Sequence, residues 1–97
     1  MYVLVRMRFA WDEDKNTSNF YKHGLWLEDA WAVFQGPMTI RVDDRRDYGE
    51  TRYVALGCLE NTIVFLAYAL RDGAVRVISM RRANKAERKI YEAEAQV

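Results

Sequence analysis

The sequence predicts an α+β domain, and three observations carry that expectation. Four strand-like segments follow one another between residues 39 and 82, separated by turn residues. Two helix-patterned segments lie between Asp12 and Phe34. A capped helical pattern follows from Asn84. Consecutive strands joined by tight turns pair antiparallel, and the helices then pack against the sheet. The expected order is β-α-α-β-β-β-β-α, with an antiparallel sheet, two N-terminal helices and a C-terminal helix.

Each element has a local reason. Residues 2 to 9 alternate, with Val3, Val5, Met7 and Phe9 on one apolar face, as a strand buried on one side does. Asp12 suits a helix N-cap, and Glu13 and Asp14 suit the positive end of the helix dipole. That helix runs to about His23, where Gly24 accepts the left-handed turn that ends many helices. Leu27, Ala30, Trp31 and Phe34 follow helical spacing and predict a buried stripe, which Gly36-Pro37 stops. A short strand covers residues 39 to 43, and a charged loop runs from Asp43 to Glu50. Thr51 to Leu59 is the next strand, and Glu60-Asn61 the turn after it. Thr62 to Leu70 is apolar on both faces, which places it centrally in the sheet. Asp72-Gly73 is the strongest hairpin signal, because that pair accepts positive φ. Ala74 to Arg82 is the last strand. Asn84 and Glu87 make a capping-box variant, and Ala86, Ile90 and Ala93 give the last helix a narrow apolar stripe.

With 97 residues, a single domain spanning 1–97 is expected. The composition, 51% hydrophobic and 30% charged, is globular and contains no linker-like tract. The single cysteine, Cys58, sits in an apolar context and is expected as a buried structural thiol in a reducing compartment. The longest apolar run, Ile63 to Leu70, is far shorter than the ~20 residues of a membrane helix. A cytoplasmic protein with no membrane partner is expected.

Charge is unevenly distributed. Residues 71 to 90 carry seven basic side chains (Arg71, Arg76, Arg81, Arg82, Lys85, Arg88, Lys89) against Asp72 and Glu87, in a chain of formal net charge +1. Residues 11 to 35 carry Asp12, Glu13, Asp14, Glu28 and Asp29 against Lys15 and Lys22. Such separation presents a local positive field that recruits polyanions.

The chemistry-bearing residues narrow the function further. The five glycines are scattered, so no phosphate-cradling loop is present. No cysteine or histidine pair exists, so no protein-built zinc or iron site and no cofactor are expected. One histidine, many arginines, several acids and several tyrosines remain. That set suits phosphate chemistry without a metal, because arginine's planar fork binds phosphate oxygens in two places. A ribonuclease using the RNA 2′-hydroxyl as nucleophile needs a proton acceptor, a proton donor and cationic stabilisation of the phosphate.

On a regular last strand, Arg76, Ile78, Met80 and Arg82 share one face, and Val75, Val77, Ser79 and Arg81 the other. These arginines either meet acids and snorkel from a core edge or form a polyanion surface. Lys15, Asn19, Lys22 and His23 form one polar stripe on the first helix. His23 reads either as a cation favoured by a helix C-terminus or as a titratable group facing phosphate. Glu50 and Arg52 point the same way if both lie on the strand, either as an ion pair or as a proton acceptor beside a phosphate clamp. Trp31 is expected in the core, Trp11 as a staple between the first strand and helix, and Trp26 as exposed for a partner.

These residues form a pattern. Phe9-Ala10-Trp11-Asp12, Lys15, Asn19, Lys22-His23-Gly24, Ala30, Val33-Phe34 and Pro37 resemble the opening of the BrnT family of toxins. Glu50-Thr51-Arg52, Gly57, Asp72-Gly73, Arg76 through Ala83, Glu87 and Tyr91 resemble the rest of it. Ala10 stands where the family usually has an acid, and Met80 where a small residue is common. The resemblance implies a RelE-like fold and a ribonuclease toxin of a type II toxin–antitoxin pair. It also implies a BrnA-like antitoxin partner and operator DNA binding only through the antitoxin complex. On this reading Arg52 and Arg81 hold the scissile phosphate, and His23 or Glu50 moves protons. Lys15, Lys22, Arg76 and Arg82 position the RNA. Loss of catalysis would leave a binding module that only engages the antitoxin or joins a repressor complex. Direct DNA binding by this chain alone is not expected, as no helix carries a basic recognition face.

Overall fold

A computed structural model describes residues 7–95. Five strands form one sheet: β1 (Arg8–Ala10), β2 (Thr39–Asp43), β3 (Arg52–Leu59), β4 (Thr62–Arg71) and β5 (Ala74–Arg82). The helices are α1 (Glu13–His23), α2 (Ala30–Val33), which follows a 3-10 turn at Leu27–Asp29, and α3 (Lys85–Ala95). Strand order is β1-β5-β4-β3-β2, so the apolar β4 is central. No helix among the described residues is long and apolar enough to cross a membrane.

The sheet is mixed, which corrects the antiparallel expectation. β2, β3, β4 and β5 are antiparallel neighbours, but β1 runs parallel to β5, pairing Arg8 with Ala74 and Ala10 with Arg76. Tight turns dictate antiparallel pairing only between consecutive strands. β1 and β5 are remote in sequence, and no turn constrains their direction. Residues 2–6 of the expected first strand lie outside the described residues.

Both predicted hairpin turns have positive φ at two successive positions: Glu60 (47°) and Asn61 (67°), then Asp72 (53°) and Gly73 (75°). This conformation matches the twist of the flanking strands. α1 begins at Asp12, whose side chain accepts the Lys15 N–H at 3.0 Å, and ends at Gly24 (φ 70°), whose N–H donates to the Phe20 carbonyl at 2.7 Å.

One sheet face packs against α1, the 3-10 turn and α2. Its core holds Leu27, Ala30, Val33, Ala55, Val64, Leu66, Tyr68, Val75, Val77 and Met80. The stripe differs from the expected one, since Trp31 is 55% exposed. A 3-10 turn repeats every three residues, so Leu27, Ala30 and Val33 align inward and Trp31 points out. Trp11 packs against this core and Trp26 is partly exposed, stacked on Phe20 with ring centroids 4.1 Å apart. Gly57 admits α2 to the sheet: a Cβ there would lie 2.4 Å from Val33 Cγ1.

The free edge of β5 beyond β1 is closed by a side chain. Asn19 Nδ2 donates to the Met80 carbonyl (2.8 Å), and the Met80 N–H donates to Asn19 Oδ1 (3.1 Å). The amide thereby replaces a neighbouring strand. Asn16 acts similarly, accepting the Leu27 N–H at 2.6 Å. Both asparagines are buried.

The opposite sheet face meets α3 through a smaller cluster of Leu56, Ala83 and Tyr91, with Ile63 and Phe65 beside it. Tyr91 is the buried anchor, and its hydroxyl donates to the Pro37 carbonyl at 3.0 Å. The expected stripe of Ala86, Ile90 and Ala93 is exposed instead, because α3 is docked by its Glu87–Tyr91 side. Cys58 is also exposed, contrary to expectation: it lies on this thinly covered face.

Candidate functional site

Paired residues on antiparallel strands project to the same face, so the register builds the site. Arg52 pairs with Ala69, and Ala69 pairs with Arg76. Asp43 pairs with Arg52 at the other end. The resulting row, Asp43–Arg52–Ala69–Arg76, sets two arginines astride a single methyl group. Their backbones stand about 10 Å apart, two strand spacings. The next row, Val54–Ala67–Ser79, is small, and the third is Leu56–Phe65–Arg81. α3 covers the third row and leaves the first uncovered.

A β-bulge decides which arginines share this face. Ala67 pairs with Ser79, but Tyr68 pairs with Val77, leaving Ile78 as the extra residue. A bulge reverses the alternation beyond it. Arg76 and Arg81 therefore share the α3 face, whereas Val77 and Met80 are both buried on the other. The faces expected from a regular strand, Arg76 with Arg82 and Val77 with Arg81, are corrected accordingly.

Glu50 is the hub of the first row. Arg71 donates to its Oε1 from Nη2 (2.7 Å) and Nε (3.2 Å), and Arg52 Nε lies 3.7 Å from its Oε2. The Arg71 hydrogen bond, with the charges of Arg71, Arg52 and Arg76, holds this carboxyl below the ordinary range against the opposing effect of burial. Arg52 makes no hydrogen bond among the described residues, and its Nε is buried without a partner. Its guanidinium lies 4.1 Å over the Tyr48 ring. Arg76 makes neither an ion pair nor a side-chain hydrogen bond among the described residues.

Arg81 is differently engaged. It makes two bonds to Glu87, Nη1–Oε1 at 2.8 Å and Nη2–Oε2 at 2.9 Å, and stacks 4.2 Å over Phe65. That bond pushes the Arg81 pKa up and the Glu87 pKa down. Arg82 lies on the other face, donating to the His23 carbonyl at 3.2 Å.

Lys15, Lys22 and His23 gather elsewhere. With Ser18, Asn19, Ile78 and Ser79 they line a shallow hollow of about 170 Å³. Ser79 belongs to the middle row of the sheet face, so this hollow adjoins the arginine rows along β5. Asn19, expected on the polar stripe, is turned inward to hold Met80.

Of the eight predicted site residues, the structure brings together Glu50, Arg52 and Arg76 in one cluster and Lys15, Lys22 and His23 in another. Arg81 stands two rows from Arg52, and Arg82 is behind the sheet. Sequence reasoning missed Arg71, Tyr48 and Glu87 as site residues. Arg71 was discoverable: the Asp72-Gly73 turn ends β4 there, two residues beyond Ala69 on the same face. Nothing local signals Tyr48, because its role depends on how the β2–β3 loop folds.

No curated protein matches the chain. A family model described as "Ribonuclease toxin, BrnT, of type II toxin-antitoxin system" matches residues 11–87. That span holds all eight predicted site residues, both hairpin turns and the Asn19–Met80 closure, and by it the chain belongs to the BrnT family of type II ribonuclease toxins.

Proposed function

We propose that this chain is a metal-independent endoribonuclease that arrests translation and growth, and is neutralised by a BrnA-like antitoxin. The carrying observation is the Arg52–Ala69–Arg76 row with Glu50 beside it, on a sheet face that α3 leaves uncovered. Two arginines across a methyl group can hold one phosphate from both sides and stabilise its developing charge. Glu50 accepts the 2′-hydroxyl proton as the 2′-oxygen attacks phosphorus, and the 5′-oxygen leaves with a proton from solvent or a neighbouring donor. Arg81 stands at the far end of that face, paired with Glu87. Lys15, Lys22 and His23 bind the RNA backbone where it passes β5, and Arg82 supports that end by fixing the α1 terminus. An antitoxin over this face silences the toxin by occupying the charge that RNA needs, and operator DNA is reached through that complex. The RNA substrate places its work in the cytoplasm.

The test is cleavage of single-stranded RNA by the purified chain in excess EDTA. Cyclic 2′,3′-phosphate ends are expected, a 2′-deoxy strand stays intact, and Arg52→Ala and Arg76→Ala each slow the reaction by about 10²-fold or more. Full activity in both variants would sink the assignment.

A second reading is a non-catalytic module that only binds the antitoxin. It is favoured by the two hydrogen bonds from Arg71 to Glu50 Oε1, which lower that carboxylate's basicity. RNA left whole after prolonged incubation, with tight antitoxin binding retained, decides for it.

A further inference from the structure

Arg52 differs from Arg71 and Arg81 in what holds it. Those two spend their N–H donors on carboxylates. Arg52 is held against a ring: its guanidinium lies 4.1 Å from the Tyr48 centroid, and its ion pair to Glu50, Nε to Oε2 at 3.7 Å, is too long for a hydrogen bond. The ring itself is anchored. Tyr48 donates its hydroxyl to Asp43 Oδ2 at 3.0 Å. Asp43 is only 8% exposed, and Arg45 grips it with two bonds at 2.8 and 2.9 Å. Those bonds hold the Asp43 carboxyl far below the ordinary range, so the anchor stays charged. An Asx-type turn, Gly49 N–H to Asp47 Oδ1 at 2.9 Å, with Gly49 at φ 73°, then returns the chain to Glu50.

A free arginine side chain has many rotamers, and fixing it costs entropy. An ion pair would order it but would consume the donors a phosphate needs. Contact with an aromatic face restrains the guanidinium and leaves its Nη N–H donors, which unlike Nε are not buried, free of protein acceptors. We propose that Tyr48 is a positioning residue for Arg52. It holds the guanidinium over the ring beside Ala69, with the Nη donors presented to a phosphate of the RNA. The chain Arg45–Asp43–Tyr48–Arg52 thus preorganises the clamp before substrate arrives. This rests on the phosphate-binding role given to Arg52 above.

The competing account is that Tyr48 only braces the β2–β3 loop through Asp43. A double-mutant cycle on the purified chain separates them, using RNA cleavage with kcat and KM resolved. Tyr48→Leu is expected to lower kcat by about 10-fold, the scale of a partly desolvated cation–π contact, with little change in KM. Tyr48→Phe, which keeps the ring and loses the hydroxyl, recovers most of that loss. In an Arg52→Ala background, Tyr48→Leu should cost less than twofold. An equal cost in both backgrounds overturns the proposal, as does a loss shared by Phe and Leu that follows their melting temperatures. If Arg52→Ala alone is fully active, the site reading fails, and the role of Tyr48 falls with it.

The Arg52 Nε–H proton resonance gives a readout that needs no catalysis. Ring-current displacement is expected in the wild type and Tyr48→Phe and is lost in Tyr48→Leu. An identical resonance in all three overturns the proposal.

Discussion

Arg81 and Glu87 join the end of β5 to the first turn of α3 by two parallel bonds, at 2.8 and 2.9 Å. Glu87 is simultaneously the capping residue of that helix. Its Oε1 accepts the Asn84 N–H at 2.9 Å, and its own N–H donates to Asn84 Oδ1 at 2.8 Å. One carboxylate thus serves the helix start and withholds an arginine from the sheet face.

Releasing that arginine has a measurable consequence. Glu87→Gln keeps a capping acceptor and removes the charge. RNA binding is expected to tighten and its salt dependence to steepen, with the log–log slope changing by about 0.7 for one added phosphate contact. Titration at several salt concentrations, with Arg81→Ala as the opposite control, checks this. An unchanged slope places Arg81 off the RNA path.

Acid sensitivity follows from three depressed carboxyls. Asp43, Glu50 and Glu87 all have folded-state pKa values below their ordinary ones, each first through an arginine hydrogen bond. Their contribution to stability is present above the ordinary carboxyl range and is lost as pH falls toward the depressed values. Denaturant midpoints should therefore drop below about pH 4. Asp43→Asn should flatten that dependence. With Glu50 as base, the acidic limb of the activity profile lies below the ordinary carboxylate range.

Asn19 has a structural role that outweighs its surface chemistry. Asn19→Ala leaves the Met80 N–H and carbonyl unpaired at a closed sheet edge, and about 2–4 kcal/mol of stability should be lost. Urea unfolding measures it. A loss under 0.5 kcal/mol, on the order of a neutral surface change, would show that β5 does not need this closure.

Gly57 and Val33 are coupled by space. Gly57→Ala forces a methyl to 2.4 Å from Val33 Cγ1, and overpacking of this kind costs about 1–3 kcal/mol. Val33→Ala should recover part of it, giving a favourable coupling in a double-mutant cycle. Additive losses would mean that α2 shifts away from the sheet instead.

Much of the fold was legible because its signals are local. Asp72-Gly73 and Glu60-Asn61 show their turns in neighbouring residues, and Asp12 and Gly24 bound α1 by capping chemistry within one turn. Asn84 and Glu87 do the same for α3. The differences share a cause. Ideal helical periodicity turns Trp31 and the Ala86, Ile90 and Ala93 stripe inward, but a 3-10 turn and docking through Tyr91 reset which sides face inward. The direction of β1 against β5 was open because no short connection joins them.

The sequence by itself determined the chemistry available: arginines in excess, one histidine, no paired metal donors, and a match that identifies the family. Tertiary structure decided which of those groups meet. The Ile78 bulge moved Arg76 and Arg81 onto one face, the β3–β4–β5 register set Arg52 and Arg76 astride Ala69, and the β2–β3 loop laid Tyr48 under Arg52. Residues this far apart in sequence are brought together only by strand pairing. A one-residue slip in that pairing exchanges the two faces of a sheet, so composition could count the arginines but not say which of them share a face.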